Sequence, residues 1–258
     1  MAYKPIGDYG VIGDLHTVAL VGKDGSIDWC CFPHFDSPSL FGALLDDQRG
    51  GRFRIAPQGD GKRQQLYLPE TNVLLTRFLH CDGVAELTDF MPVEGDEPRT
   101  RPKRHQIIRM VTVIRGTIRF RLECRPAFNF GRDEHTVLLR PAGAVFRSAS
   151  MKVGLVSPVP LVTNQGAVEA EFTLAEGQQL TFFLEQLEMA AAEDLLDTPQ
   201  TGETAFRDTI EFWRTWLAQC CYTGRWREMV QRSALTLKLL TYAPTGAIVA
   251  APTTSLPE

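Results

Sequence analysis

No stretch of about 18 consecutive apolar residues occurs in this 258-residue sequence, so it offers no candidate for a membrane-spanning helix. The start lacks a basic segment followed by a long apolar one, which leaves no export signal legible and makes a cytoplasmic protein the expectation. Positive charge is not in excess, with 27 Lys and Arg against 31 Asp and Glu for a net charge of −4. No block of Lys and Arg is large enough to track a phosphate backbone, so neither nucleic acid nor a membrane is expected as a partner. The run Arg99, Arg101, Lys103 and Arg104 is broken by prolines and reads as a solvated loop. The six cysteines contain no C-x-x-C, and the adjacent pairs Cys30–Cys31 and Cys220–Cys221 are poorly placed to bridge each other, which points to reduced thiols. His16, His34, His80, His105 and His135 stand singly, so no metal-ligand set is legible and no cofactor is expected. The phosphate-loop, nucleophile-elbow and zinc-protease motifs are absent as well, leaving no nucleophile that a motif identifies.

What is present is a globular composition, 44% hydrophobic and 22% charged, with 21 Gly and 16 Pro dispersed among apolar runs. From His16 to about 187, short segments rich in Val, Ile, Leu, Phe and Thr alternate with Gly-containing turns, the pattern of a β domain. His16–Val21 and Ser26–Phe32 flank Lys23-Asp24-Gly25, and Asn72–Cys81 and Val84–Phe90 flank Asp82-Gly83, so two hairpins are expected there. His105–Arg125 reads as a third pair turning at Arg115-Gly116, whereas Gly7–Gly13 reads as a turn. Further strands are expected at 135–140, 144–150, 152–156, 167–174 and 179–187. About a dozen strands of this kind make a large antiparallel β-sandwich, placing the chain in the mainly β class.

The pattern changes beyond 187. Residues 188–224 read as a linker: Met189–Leu196 mixes alanines with acids, Asp197-Thr198-Pro199 connects, and Phe206, Ile210, Trp213 and Leu217 form one helical stripe that stops by Gly224. Residues 225–258 contain a second helix, Trp226–Tyr242, apolar around most of its circumference in its latter half and therefore expected to be covered on several sides. One other helix and the sandwich are too little cover, so the sequence is expected to be truncated at 258 and to self-associate through that helix.

Chemistry is sparsely marked. Asp46-Asp47, Glu185 with Glu188, and Glu193-Asp194 are paired acids that solvated turns and helix ends explain better than catalysis, so no catalytic residue is assigned. Ser26–Trp29 followed by Pro33–Pro38 sets Trp29, Phe35 and Asp36 at a strand end and a proline-bounded loop. Such a group either grips a sugar by stacking and hydroxyl bonding or serves as core anchor and turn.

The run from Ile6 to Trp29 (IGDYGVIGDLHTVALVGKDGSIDW), FDSP at 35–38, GRFRIAP at 51–57, TDFMP at 88–92 and RSALTLKLLTYAPTGAIVAAPTTSLPE at 232–258 together resemble glycoside hydrolase family 15, the bacterial glucoamylase- and trehalase-like proteins. The resemblance implies a trehalase-like N-terminal β-sandwich over 1–187, linker helices over 188–224, and over 225–258 the first helix of a truncated (α/α)6 barrel. It also implies inverting hydrolysis of terminal α-glucosidic bonds by two glutamates that this sequence does not contain. The substrate, an α-glucoside or trehalose, would then be held mainly by the missing barrel, with Thr253 and Thr254 approaching it and Trp29 and Asp36 as sandwich-side candidates. The alternative expectation is a non-catalytic β-sandwich that binds carbohydrate or a separate subunit.

Overall fold

The computed structural model describes residues 3–93, 105–189 and 201–256. The basic run at 99–104, the segment from 190 and the connector at 197–199 lie outside them. After a 3-10 turn at Ile6–Asp8, the first half of the sandwich is built by β1 (Tyr9–Gly13), β2 (Val18–Gly22), β3 (Ser26–Cys31), β4 (Ser39–Phe41) and β5 (Arg52–Pro57). There follow β6 (Gly61–Tyr67), β7 (Leu74–His80), β8 (Gly83–Phe90) and the 20-residue β9 (Gln106–Arg125). A one-turn segment, α1 (Phe128–Gly131), leads to β10 (Thr136–Arg140), β11 (Gly143–Arg147), β12 (Lys152–Val156), β13 (Val162–Asn164), β14 (Ala167–Ala175) and β15 (Gln179–Leu187). All the named strand pairings are antiparallel.

Two expectations fail in the strands. Tyr9–Gly13 is not a turn but pairs with β2 from Tyr9↔Gly22 to Gly13↔Val18. His105–Arg125 is not a hairpin: β9 runs on through Gly116, whose φ of +84° bends it without reversing it. Its first part pairs with β8 and β15, its second with β5 and β14, so one strand serves both halves of the sandwich. A Cβ at Gly116 would stand 2.0 Å from Asp82 O, so only glycine lets the bend sit against the β7–β8 turn. The strict alternation from Thr117 to Cys124 is realised, with Ile118, Phe120, Leu122 and Cys124 buried.

The core lies between the two halves, where Val21, Ile27 and Phe53 meet Phe78, Leu87, Val111, Phe146 and Phe182. A buried arginine joins the halves. Arg109 of β9 donates through Nε to Asp89 Oδ1 of β8 (2.7 Å), through Nη1 to Phe53 O (2.6 Å) and through Nη2 to Gly25 O (2.8 Å), with its guanidinium 4.7 Å from the Phe53 ring centre. Both side chains are fully buried.

Helix α2 (Gly202–Leu217) starts where the Thr201 hydroxyl accepts from Thr204 N, and its apolar stripe lies on the sandwich. Ala205, Phe206 and Ile210 pack with Phe90, Ile108 and Phe183, while Trp213 and Leu217 pack with Leu15, Val18 and Phe35. It ends before Gly224, because the amides of Gln219 and Cys220 turn back onto Trp216 O and Leu217 O. Helix α3 (Arg227–Leu239) is shorter than expected and docks by one face, burying Leu235 and Leu239. Trp226, Met229 and Leu237 are more than half exposed, so among the described residues the expected cover on several sides is absent.

Candidate functional site

The expected site residues lie near the junction of the sandwich, α3 and the segment after it. Beyond α3 the chain reverses through Gly246, whose φ is +73°, so that Tyr242 N donates to Ala247 O (2.7 Å) and Val249 N to Leu240 O (2.9 Å). Ala243 N donates to Leu15 O (2.8 Å), which pins this reversal to the β1–β2 loop.

Trp29 is fully buried in β3, and its Nε1 donates to Pro252 O (2.7 Å). The ring holds the last described segment down and presents no free face in this chain. Two residues on, Cys31 Sγ and Ser255 Oγ are 3.0 Å apart. Burial pushes the Cys31 thiol up to about 11, the Ser255 hydroxyl works against that rise, and the Asp36 carboxylate adds to it. Asp36 is exposed at the tip of the β3–β4 loop. Thr253 is half-buried and Thr254 exposed, and their backbones close turns through Thr254 N to Ala251 O (3.2 Å) and Leu256 N to Thr253 O (3.0 Å). The four named residues therefore gather around one contact, between β3 with its following loop and residues 251–256.

Beside them is a group that spacing in the sequence hides. The rings of His16, His34 and His105 have centres 5.2 to 6.1 Å apart, and Tyr242 stands 5.7 Å from His16 and 5.9 Å from His34. Asp14 organises them: Oδ2 meets His105 Nδ1 at 2.7 Å, its main-chain oxygen meets His16 Nδ1 at 3.2 Å, and Oδ1 accepts from His16 N and Thr17 N, both at 2.9 Å. The four side chains come from the β1–β2 loop, the β3–β4 loop, the start of β9 and the end of α3. Only the fold brings them together, and Gly13-Asp14, the turn pair that ends β1, was the one local signal. Such a wall of imidazoles and a phenol supplies donors and acceptors to a polyhydroxylated ligand.

The paired acids are placed otherwise. Asp46 accepts from Gln48 N and Arg49 N (both 2.9 Å), and these backbone bonds hold its carboxyl below the usual range. Glu185 is not at a solvated end but fully buried in β15, accepting from Gln106 Nε2 (2.8 Å).

The architecture alone defines a class: a mainly antiparallel β-domain with helices docked on it, shared with a protein described as a kojibiose phosphorylase from the human microbiome. That structure aligns at a TM-score of 0.55 and 8% identity over 95% of this chain and 41% of its own. The family follows from sequence. The model for the trehalase-like N-terminal domain matches residues 2–211, and the chain belongs to that family. It is 34% identical over 263 residues to a trehalase of Thermoplasma volcanium, 36% over 281 to one of Mycolicibacterium smegmatis and 32% over 281 to one of Mycobacterium tuberculosis. Each alignment takes in 99% of this chain, which spans about two-fifths of the relatives' length, 41%, 41% and 40%. Among the described residues no helix is long and apolar enough to cross a membrane.

Proposed function

We propose that this chain is the N-terminal portion of an inverting, exo-acting α-glucosidase of glycoside hydrolase family 15, with trehalose as substrate ahead of other terminal α-glucosides. The observation that carries this reading is the alignment of 99% of the chain with proteins named trehalases. On this reading residues 1–187 are the sandwich, 188–224 the link and 225–258 the opening of a helical catalytic domain. The acid and base that protonate the leaving oxygen and activate water then lie outside these 258 residues, and the chain by itself is inactive. Asp36, Thr253 and Thr254 offer hydroxyl and carboxylate partners toward the sugar, and Trp29 acts beneath them by fixing Pro252. Six unpaired cysteines suit a reducing cytoplasm.

The exposed Trp226, Met229 and Leu237 favour a second reading, in which α3 is a subunit-interaction face and the chain has no chemistry of its own. In the 258-residue protein alone the same face drives self-association. The test is glucose release from trehalose and from maltooligosaccharides by the 258-residue protein and by a longer chain carrying a helical domain. Release only by the longer chain is the expected result. Release by the short chain overturns the assignment of catalysis elsewhere, and no release by either supports the interaction module.

A further inference from the structure

Segment α1 is left-handed. Asn129 (φ +52°, ψ +51°), Phe130 (φ +58°, ψ +32°) and Gly131 (φ +74°) stand in succession in that region of backbone space. Glycine takes the conformation freely and asparagine with little difficulty, but at a bulky residue such as Phe130 the Cβ crowds a backbone carbonyl, so the turn is strained. Backbone bonds hold it closed, from Gly131 N to Ala127 O and Arg132 N to Asn129 O (both 3.1 Å) and from Asp133 N to Phe128 O (3.2 Å), while Asn129 Nδ2 donates to Asp133 Oδ1 (2.9 Å). Strain of this kind persists where the surroundings over-determine it, and it gathers at ligand sites.

Core packing accounts for only one of its two phenylalanines. Phe128 is buried in the sandwich core, whereas Phe130 is half-buried and belongs to none of the three apolar clusters. Its ring centre lies 6.5 Å from that of Trp29, and the same indole bonds Pro252 O, so Phe130 stands at the contact around which Asp36, Thr253 and Thr254 gather. The Arg132 side chain is exposed, its guanidinium 5.9 Å from the Phe130 ring centre and without an ion pair or hydrogen bond among the described residues. The Asp36 carboxylate and the Thr253 and Thr254 hydroxyls make no hydrogen bond among those residues either. A half-exposed aromatic ring beside a cation, a carboxylate and two hydroxyls, all uncommitted, is what a glycoside requires: an apolar surface for the C–H side of a pyranose, with donors and acceptors for its hydroxyls.

We propose that Phe130 and Arg132 are the sandwich-side wall of the glucoside site at this junction, the Phe130 ring stacking on the C–H face of a glucosyl ring and the Arg132 guanidinium donating to two neighbouring hydroxyls. The inference rests on the function proposed above and adds to it the residues that hold the sugar. It moves the stacking role that the sequence offered for Trp29 to Phe130, with the buried indole as support and the half-buried phenyl as the contact. The left-handed turn makes this division possible, because it commits Phe128 to the core and leaves Phe130 outside it.

The test is a trehalose titration of the 258-residue protein with isotope-labelled phenylalanine rings, read by NMR as ring shifts and as intermolecular NOEs to the sugar. The Phe130 signal, identified by its absence from Phe130→Leu, is expected to shift and to show NOEs to glucosyl C–H protons. Phe130→Leu keeps apolar cover on Trp29 and so preserves the melting temperature, yet it weakens trehalose binding about three- to tenfold, while Phe130→Tyr retains it. Arg132→Ala, at an exposed position, weakens binding as well. No shift or NOE at Phe130, or binding unchanged in both Phe130→Leu and Arg132→Ala, overturns the proposal. In the longer chain carrying a helical domain, the same two substitutions raise KM for trehalose. Glucose release there with a KM indifferent to both overturns this assignment and leaves the proposed function standing. No release by the longer chain, with trehalose still in contact with Phe130 in the short one, overturns the hydrolase reading and supports the sugar contact.

Discussion

Replacing Asp89 with asparagine removes one charge from the buried pair whose arginine joins the two halves of the sandwich, while keeping the side chain's shape. One carboxylate oxygen becomes an amide nitrogen, which must face either Arg109 Nε or Nη2, where Oδ1 and Oδ2 accept at 2.7 and 3.2 Å. Arg109 remains anchored to Phe53 O and Gly25 O, so it cannot swing out to water, and its charge is left without a counter-ion at zero exposure. Breaking a buried pair in this way costs about 3 to 5 kcal/mol. At about 2 to 4 °C per kcal/mol for a protein of this size, the melting temperature falls by about 6 to 20 °C. Urea denaturation followed by tryptophan fluorescence, with the m-value checked for constancy, measures the loss directly. The double variant Asp89→Leu with Arg109→Met should lose less than the sum of the two single changes, because neither charge is then stranded. A loss below about 1 kcal/mol in Asp89→Asn would refute the reasoning, since that is the scale of an exposed pair.

Four further outcomes follow from the same structure. Cys81 and Cys221 are exposed while Cys30, Cys31 and Cys124 are buried with raised thiol pKa values, so a thiol reagent at neutral pH should label the first two and spare the other three until unfolding, as peptide mass mapping would show. Because the unfolded chain ionises these thiols near 9.0 whereas folded Cys31 stays protonated to about 11, their contribution to stability is full below pH 9 and declines as pH rises through that window, which a urea midpoint series would register. Trp29→Phe deletes the bond to Pro252 O and should cost about 0.5 to 1.5 kcal/mol, with faster hydrogen exchange confined to residues near 253–256; an unchanged exchange pattern there would contradict the anchoring role. Gly116→Ala forces a Cβ into Asp82 O at a left-handed φ and should destabilise by more than about 1 kcal/mol in the same denaturation assay.

Strand positions were legible where burial on one face imposes alternation, as from Thr117 to Cys124, and where Asp24-Gly25 and Asp82-Gly83 mark reversals. Gly116 misled because a glycine after a charged residue looks the same whether the chain reverses or bends, and what decides is the partner strands on either side, which lie far away in sequence. The stripe Phe206, Ile210, Trp213 and Leu217 was readable from helical spacing alone, yet the end of α2 was set by local backbone bonds at 217–220 and not by Gly224. Arg109 left a trace, a charge inside the run Ile107-Ile108-Arg109-Met110-Val111, but its partner Asp89 becomes visible only in the register of β8 and β9. The imidazoles of His16, His34 and His105 come from three separate places in the chain, so no spacing rule could join them.

The dual membership of β9 also has a cost in time. One edge of this strand is covered by β5 and β8, which precede it, and the other by β14 and β15, which end at Ala175 and Leu187. A nascent chain that has emerged through Arg125 therefore exposes a 20-residue strand edge with no partner yet synthesised. At about 5 to 20 residues per second, the ribosome needs several seconds to supply those partners, long compared with hairpin formation and collapse. The interval is the one in which a chaperone, or another nascent chain, competes for that edge.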